Sequence, residues 1–306
     1  MIKLIRLLTT RYYLKGFYRI LWAARIFLKT RDDVYSIYGT VKMKLDHNHY
    51  YQWMMASTNY YGFGIKKVLI DVLNYGDVFV DVGANIGYLS LIGSSIVGDD
   101  GLVIAFEPDP RAIKSFTDNI TLSKVKNTIL FEDVCSNKEG KISFKLASHL
   151  GWSTAVEKTP SLDILSQIEV NRCTLDNVFD RDIFKEKTIR LIKIDTEGYE
   201  PYILEGAKAI IGRNETAFII EVNHESLTNN NQSIKDILRL FMGKNYFIYW
   251  IVEKRGFINS LGKVKLERII DHKNYYGRNG DIFIVPARRI YQDPNSAQCL
   301  DTSRNH

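Results

Sequence analysis

One feature constrains this chain more than any other: the run Asp77-Val-Phe-Val-Asp-Val82, followed at once by Gly83-Ala-Asn-Ile-Gly87. A short, continuous stretch of β-branched and aromatic residues suits a parallel strand that is covered by helices on both faces. The two glycines let the backbone turn sharply and approach a ligand with no Cβ in the way. The pattern then repeats. A helix is predicted over residues 88–97, a strand over 102–106, a helix over 110–123 and a strand over 128–131. Further on, residues 190–194 and 216–222 read as buried strands around a helix over 199–211. A helix over 64–75 precedes the series and stops at Gly76. A helix over 233–242 and strands over 246–252 and 281–285 close it. Strands that alternate with helices predict an α/β, Rossmann-like fold, with a mostly parallel twisted sheet and helices on both faces.

This pattern divides the chain into a basic, aromatic-rich N-terminal extension (1–62), the Rossmann-like domain (63–290) and a flexible tail (291–306). Within the domain, residues 141–146 alternate like an extra strand or hairpin. A polar insertion over 147–172, with Trp152, Ser153 and Thr154, is placed to cover a substrate. Residues 1–31 carry Lys3, Arg6, Arg11, Lys15, Arg19, Arg25, Lys29 and Arg31 and no acid, so the net charge of +6 belongs to the arm and not to the domain. Leu4, Leu7, Leu8, Leu14, Phe17 and Leu21 recur there at helical spacing. Such a basic amphipathic arm suits peripheral contact with anionic membrane, or packing against the domain with its charges solvated. The domain itself is not basic and no RNA-binding motif is present, which argues against a nucleic-acid partner. The spacing of Cys135, Cys173 and Cys299 suggests neither a disulfide framework nor a zinc site. No run is apolar enough to span a bilayer, and no signal-peptide pattern is recognisable. The expectation is a cytoplasmic protein, peripheral at the inner membrane face if the arm binds lipid.

The glycine loop opens a helix at the carboxyl end of a strand, where such sheets bind their ligands. Asp81 sits at that strand's end. The next strand ends in Glu107, and Pro108 stops it. An acid about 20 residues beyond the glycines can accept both hydroxyls of a ribose. Asn85 replaces the middle glycine of a dinucleotide loop, and Asp81 adds negative charge where a pyrophosphate would sit. Both departures favour a cationic adenosine ligand, S-adenosylmethionine.

Three stretches carry a resemblance: Val80-Asp-Val-Gly-Ala-Asn-Ile-Gly-Tyr88, Ala105-Phe-Glu-Pro-Asp109 and Leu191-Ile-Lys-Ile-Asp-Thr-Glu-Gly-Tyr-Glu200. Asn171-Arg-Cys-Thr-Leu-Asp176 and Phe218-Ile-Ile-Glu-Val222 support them. In order and spacing the chain resembles the FkbM family of methyltransferases over roughly residues 78–227. The resemblance implies a class I methyltransferase fold and S-adenosylmethionine as donor. It also implies O-methylation of an acceptor such as a sugar, a glycolipid or polysaccharide precursor, or a secondary metabolite. The donor-binding set is then Asp81, Gly83, Ala84, Asn85, Gly87, Glu107, Pro108 and Asp133. Asp133 enters by its place just past the third strand, where the family more often has a small residue.

For the chemistry, Asp195 and Glu197 lie two residues apart at the end of the fourth strand. In a continuing extended segment they would point the same way. A carboxylate within reach of an acceptor hydroxyl can orient or deprotonate it. Asp195 leads as the base and Glu197 follows, with Glu221 and His224 after the fifth strand as further candidates. Glu197 can equally cap the next helix. Nothing in the spacing calls for a metal, and none is expected. Two rival readings are a Rossmann enzyme using NAD or a nucleotide sugar, and a methyltransferase-fold protein that binds without turnover. The first lacks GxGxxG and leaves Lys193-Ile-Asp-Thr-Glu-Gly198 unexplained.

Overall fold

A computed structural model describes residues 33–58, 61–159, 162–185, 187–254, 263–270 and 277–292. The basic arm over 1–31 and residues 293–306 of the expected tail lie outside the described residues, whereas residues 291–292 belong to the last helix. In chain order the elements are β1 (Asp33–Tyr38), β2 (Val41–Leu45), α1 (Tyr50–Ser57), α2 (Phe63–Val72), β3 (Val78–Val82), α3 (Tyr88–Val97), β4 (Leu102–Phe106), α4 (Pro110–Ser123) and β5 (Thr128–Phe131). Next come β6 (Val134–Cys135), β7 (Gly140–Ala147), β8 (Ile164–Cys173), α5 (Leu175–Phe179), α6 (Asp182–Lys185), β9 (Ile189–Ile194), α7 (Glu200–Glu205), α8 (Lys208–Arg213) and β10 (Ala217–Val222). The series ends with α9 (His224–Asn229), α10 (Ile234–Leu238), β11 (Tyr246–Lys254), β12 (Lys263–Arg268), β13 (Gly280–Pro286) and α11 (Ala287–Gln292).

The main sheet has the order β12-β11-β13-β10-β9-β3-β4-β5. The five strands from β10 to β5 are parallel, whereas β13, β11 and β12 join antiparallel. The chain steps outward from β3 to β4 and β5, then returns to the other side of β3 as β9. That reversal opens a crevice at the carboxyl ends of β3 and β9, where ligands of such sheets bind.

Strand period two distributes the core to both faces. Val78, Val80, Ile192 and Ile194 join one apolar cluster, and Phe79, Val103, Leu191 and Ile219 join the other. Burying a side chain of this size contributes roughly 1.5–3 kcal/mol. Asp81 and Lys193 are register partners on the second face and are 0% and 4% exposed, in a layer otherwise apolar. A buried ion pair is weak evidence for stability.

The β1–β2 hairpin packs into the same core through Tyr35, Met43 and Leu45. The Lys44 backbone N–H donates to Asn119 Oδ1 of α4 at 2.9 Å and fastens the hairpin there. The aromatic-rich stretch after residue 50 forms α1, and its Trp53 is fully buried.

Several expectations are corrected. The polar insertion contains β8, which pairs antiparallel with β7 in a three-stranded sheet with β6. Its polar surface hid the alternation of Ile168 and Val170. The helix over 199–211 is broken into α7 and α8 around Gly206, where a Cβ would lie 2.0 Å from the Ser136 carbonyl oxygen. The helix expected to reach residue 75 ends at Val72, and the one expected over 233–242 is confined to α10. Strands β1 and β12 were not anticipated. Among the described residues, no helix is long and apolar enough to cross a membrane.

Candidate active site

A cavity of about 300 Å³ opens at the crevice. Its donor-side wall begins where β3 ends. Asp81 Oδ2 accepts from Ser90 Oγ of α3 at 2.6 Å, and Oδ1 faces Lys193 Nζ at 3.3 Å. The loop then turns through Gly83 at φ +76°, and its N–H and that of Ala84 donate to the Phe106 carbonyl. A Cβ on Gly83 would lie 1.9 Å from the Asp195 carbonyl oxygen, so only glycine permits this approach of the β3 loop to the β9 turn.

Glu107 ends β4 and is 7% exposed. Its carboxylate accepts from the backbone N–H groups of Asn85 (2.7 Å) and Asp109 (2.9 Å). Burial pushes this carboxyl up to about 7, against those two N–H donors that pull it down. Each oxygen keeps a second lone pair for a ligand hydroxyl. Asp109 caps α4, pairs with Arg111 at 2.6 Å and accepts from Ser153 Oγ at 2.7 Å. Ser153 thereby fastens the insertion to the donor side, and Gly151, Trp152 and Ser153 line the cavity as its cover.

The opposite wall is acidic. Asp195 follows β9 and donates its N–H to the Val82 carbonyl. Its Oδ2 lies 3.3 Å from Lys193 Nζ. The segment does not continue as a strand. Glu197 takes φ +57° and Gly198 φ +97°. Glu200, 1% exposed, holds this turn by accepting from the Thr196 N–H, Thr196 Oγ1 and the Gly198 N–H. The turn-holding acid is therefore Glu200 and not Glu197. The turn still brings Asp195, Glu197 and Glu221 together, with one carboxylate oxygen from each within 4.8 Å of the others. Charges so close repel unless protons or a cation intervene. Burial and then Asp195 push Glu197 up to about 8 and Glu221 well above the usual range. Asp281, the cross-strand partner of Glu221, is pushed up to about 7 by burial and then Asp195. Tyr51, Tyr61 and Trp152 form an aromatic rim beside these acids, with the Tyr51 ring centroid 6.0 Å from Tyr61 and 6.5 Å from Trp152.

Of the residues expected at the site, Asp81, Gly83, Ala84, Asn85, Glu107, Pro108, Asp133, Asp195, Glu197 and Glu221 all line this cavity. Gly87 and His224 do not. Gly87 opens α3 with its back to α4, where a Cβ would meet the Phe116 ring at 2.2 Å. His224 starts α9, past the rim, and its N–H donates to Asn279. Sequence reasoning missed Lys193, Asp281, Tyr51 and Tyr61. Lys193 carried a signal, a charge between Ile192 and Ile194 in a largely apolar strand, where lysine is almost never fully buried unless paired.

The donor-side residues fit an adenosine-bearing cation. Glu107 keeps lone pairs for a ligand, Asn85 Oδ1 is a buried atom with no hydrogen-bond partner, and Asp81 Oδ1 accepts no hydrogen bond and meets only the Lys193 ammonium at 3.3 Å. Among the described residues, the cavity is lined by eight acidic side chains (Asp81, Glu107, Asp109, Asp133, Asp195, Glu197, Glu221 and Asp281) and one cationic side chain, Lys193.

Comparison with known proteins bears on the same residues. A 76-residue stretch is 34% identical to a protein described as a probable cobalt-precorrin-6B C(15)-methyltransferase (decarboxylating) of Sulfolobus acidocaldarius. That match covers 25% of this chain and 40% of the relative. Among solved structures, a methyltransferase FkbM from Methylobacillus flagellatus is similar at 12% identity and a TM-score of 0.41, covering 76% of this chain and 52% of that one. A SAM-dependent O-methyltransferase from Thermotoga maritima is similar at 13% identity and a TM-score of 0.37, covering 72% and 63%. Likeness at this level decides neither donor nor acceptor. The sequence model described as the methyltransferase FkbM domain matches residues 81–258, from Asp81 through the β11 strand. That match spans more than half of the chain and includes Asp81, Glu107, Lys193, Asp195, Glu197 and Glu221 of the cavity, and on it the chain belongs to the FkbM methyltransferase family, which uses S-adenosylmethionine.

Proposed function

We propose that this protein transfers the methyl group of S-adenosylmethionine to a hydroxyl of a sugar, a glycolipid or polysaccharide precursor, or a secondary metabolite. The observation that carries the reading is that Asp81 and Glu107, at the tips of neighbouring strands, face one cavity whose far wall holds Asp195. In this reading Glu107 takes the ribose hydroxyls, and the loop from Gly83 to Asn85 with Pro108 and Asp133 encloses the rest of the adenosyl moiety. When bound, S-adenosylmethionine would supply an electrophilic methyl whose bond to the sulfonium sulfur breaks as the methyl is transferred, with S-adenosylhomocysteine as the leaving group. The residues do the remainder. Asp195 accepts the hydrogen bond of the acceptor hydroxyl and takes its proton as the new C–O bond forms. Glu197 and Glu221 orient neighbouring groups of the acceptor. Trp152 and the rim tyrosines exclude water and offer flat apolar faces to a ring.

Titration calorimetry with S-adenosylhomocysteine tests the donor half, with saturable one-to-one binding expected. A wild-type protein that binds neither this ligand nor S-adenosylmethionine would end the reading. For the acceptor half, tritium transfer from labelled S-adenosylmethionine to monosaccharides and glycan extracts is expected to yield base-stable methyl ethers. Label recovered in base-labile esters or on carbon would exclude hydroxyl transfer. We further propose that residues 1–31 hold the protein on anionic membrane, near a lipid-linked acceptor. Deleting them is then expected to release it from phosphatidylglycerol vesicles, and equal binding with and without the arm would count against this.

A further inference from the structure

We infer that Lys193 is the positioning residue that locks the donor loop to the acceptor-side carboxylate, and that it sets how strongly the site prefers a cationic ligand over a neutral one. The inference rests on the donor reading above.

Three contacts define it. Lys193 Nζ lies 3.3 Å from Asp81 Oδ1, 3.3 Å from Asp195 Oδ2 and donates to the Gly83 carbonyl oxygen at 3.1 Å. One ammonium, 4% exposed, therefore touches the strand end before the loop, the loop itself and the turn after β9. Its register on β9, directly beside Asp81 on β3, fixes the side chain between the two walls. Burial alone pulls this ammonium down, but Asp195 and Asp81 more than offset it, so it stays charged.

The geometry also explains why the walls sit so close. Gly83 presses on the Asp195 carbonyl, and the Asp195 N–H is bonded to Val82. The backbone brings the donor loop and the acid together, and the lysine neutralises what that approach concentrates. Glu197 from the turn, Glu221 from β10 and Asp281 from β13 face the same space, with the Tyr61 ring beside them. Among the described residues lining the cavity, Lys193 carries the sole positive side-chain charge against them. A cationic ligand and Lys193 thus draw on the same negative field.

The test needs no acceptor. Dissociation constants for S-adenosylmethionine and S-adenosylhomocysteine are measured by calorimetry on the full chain, with thermal melts alongside. The first ligand carries a sulfonium charge that the second lacks, so their ratio reads the field at the transfer point. Lys193→Met is expected to weaken both ligands through the loosened loop and to shift the ratio toward S-adenosylmethionine by about fivefold or more. Lys193→Arg keeps the charge and is expected to hold the wild-type ratio. Asp195→Asn, which leaves Lys193 paired to Asp81, is expected to shift the ratio the other way. A role in folding alone would weaken both ligands equally and leave the ratio fixed. An unchanged ratio in a cooperatively melting Lys193→Met protein overturns the inference. If that variant does not fold, an unchanged ratio in Asp195→Asn overturns it. Absence of binding by the wild-type protein would instead overturn the donor reading, and this inference with it.

Discussion

The two walls of the cavity are built on opposite plans. The donor wall is local, with its loop and acid falling between Asp81 and Asp109. Each of its acids has assigned partners: Ser90 and Lys193 for Asp81, two backbone N–H groups for Glu107, and Arg111 with Ser153 for Asp109. The acceptor wall is assembled from afar, with Tyr51 and Tyr61 from the N-terminal side, Trp152 from the insertion, and Asp195, Glu197, Glu221 and Asp281 from three later segments. Its acids crowd one another, and Glu221 Oε2 is buried with no partner. The difference teaches what each wall does. A wall whose acids each meet a partner within the protein suits a ligand shared across a family. A wall of under-compensated charge and aromatic faces suits an acceptor that completes it.

The largest expected effect falls on the acceptor wall. Asp195→Asn keeps the shape and removes the proton acceptor. With any acceptor that the wild-type enzyme methylates, kcat is expected to fall by about 10²–10⁴-fold, the usual contribution of a general base. Affinity for S-adenosylhomocysteine should stay within about threefold. Full turnover in this variant would remove Asp195 from the chemistry and pass the role to Glu197 or Glu221.

The converse substitution breaks the donor wall. Glu107→Gln exchanges a charged acceptor for an amide that also carries donors, where two loop N–H groups already point at it. A hydrogen bond to a charged group contributes about 1.5–3 kcal/mol, so S-adenosylhomocysteine is expected to bind tens of times more weakly. Saturating donor should then recover most of kcat. If kcat instead fell while donor affinity held, the assignment of the two walls would be reversed.

How much of this was legible in the sequence follows the same division. Strands β3, β4, β5 and β9 and helices α3 and α4 announce themselves, because a buried parallel strand is a continuous apolar run and Asp109-Pro110 marks a helix start. The donor wall came with them, since the loop and Glu107 are set by where adjacent strands end. The rim tyrosines belong to a stretch that the sequence shows only as aromatic-rich, and they had no address until α1 packed beside the insertion. Asp281 looked like an ordinary polar residue at a strand entry, and only the antiparallel register with Glu221 turns it into the cavity. Glu200 was hidden because its work, holding a left-handed turn, depends on backbone angles at Glu197 and Gly198 that no periodicity reports.

Acidity offers a gentler way to separate the walls. The Glu107 carboxyl is pushed up to about 7 by burial, so it gains a proton as pH falls through that value, and donor affinity is expected to fall with it. Stability should move the other way. A carboxyl raised above its ordinary value takes up a proton in the folded state that the unfolded chain has already released. Folding is then favoured at the acid end of the window from about 4.5 to 7 and loses that advantage as pH rises. Asp281, also raised to about 7, adds in the same direction. Between pH 8 and 6 the ligand-free protein is therefore expected to melt higher while it binds S-adenosylhomocysteine more weakly. Glu107→Gln should flatten the affinity trend and leave part of the melting trend, which belongs to the acceptor wall. Affinity that rises toward pH 6 would mean that Glu107 does not meet the donor as a carboxylate.

The smallest expected effect concerns what neutralises the acceptor wall. Asp195, Glu197 and Glu221 approach within 4.8 Å, a spacing that a divalent cation could bridge. Lys193 already stands 3.3 Å from Asp195, and Glu197 and Glu221 are held toward their protonated forms. A fixed ammonium and two carboxyls held toward their protonated forms lessen the repulsion among the three acids. Exhaustive treatment with EDTA is accordingly expected to change turnover by less than about twofold, and added magnesium should not raise it. Loss of activity on chelation that magnesium restores, with donor affinity unmoved, would show that a metal completes the acceptor wall. The contrast between the two walls would then be between one whose acids are met by the protein's own groups and one whose acids are met by an ion.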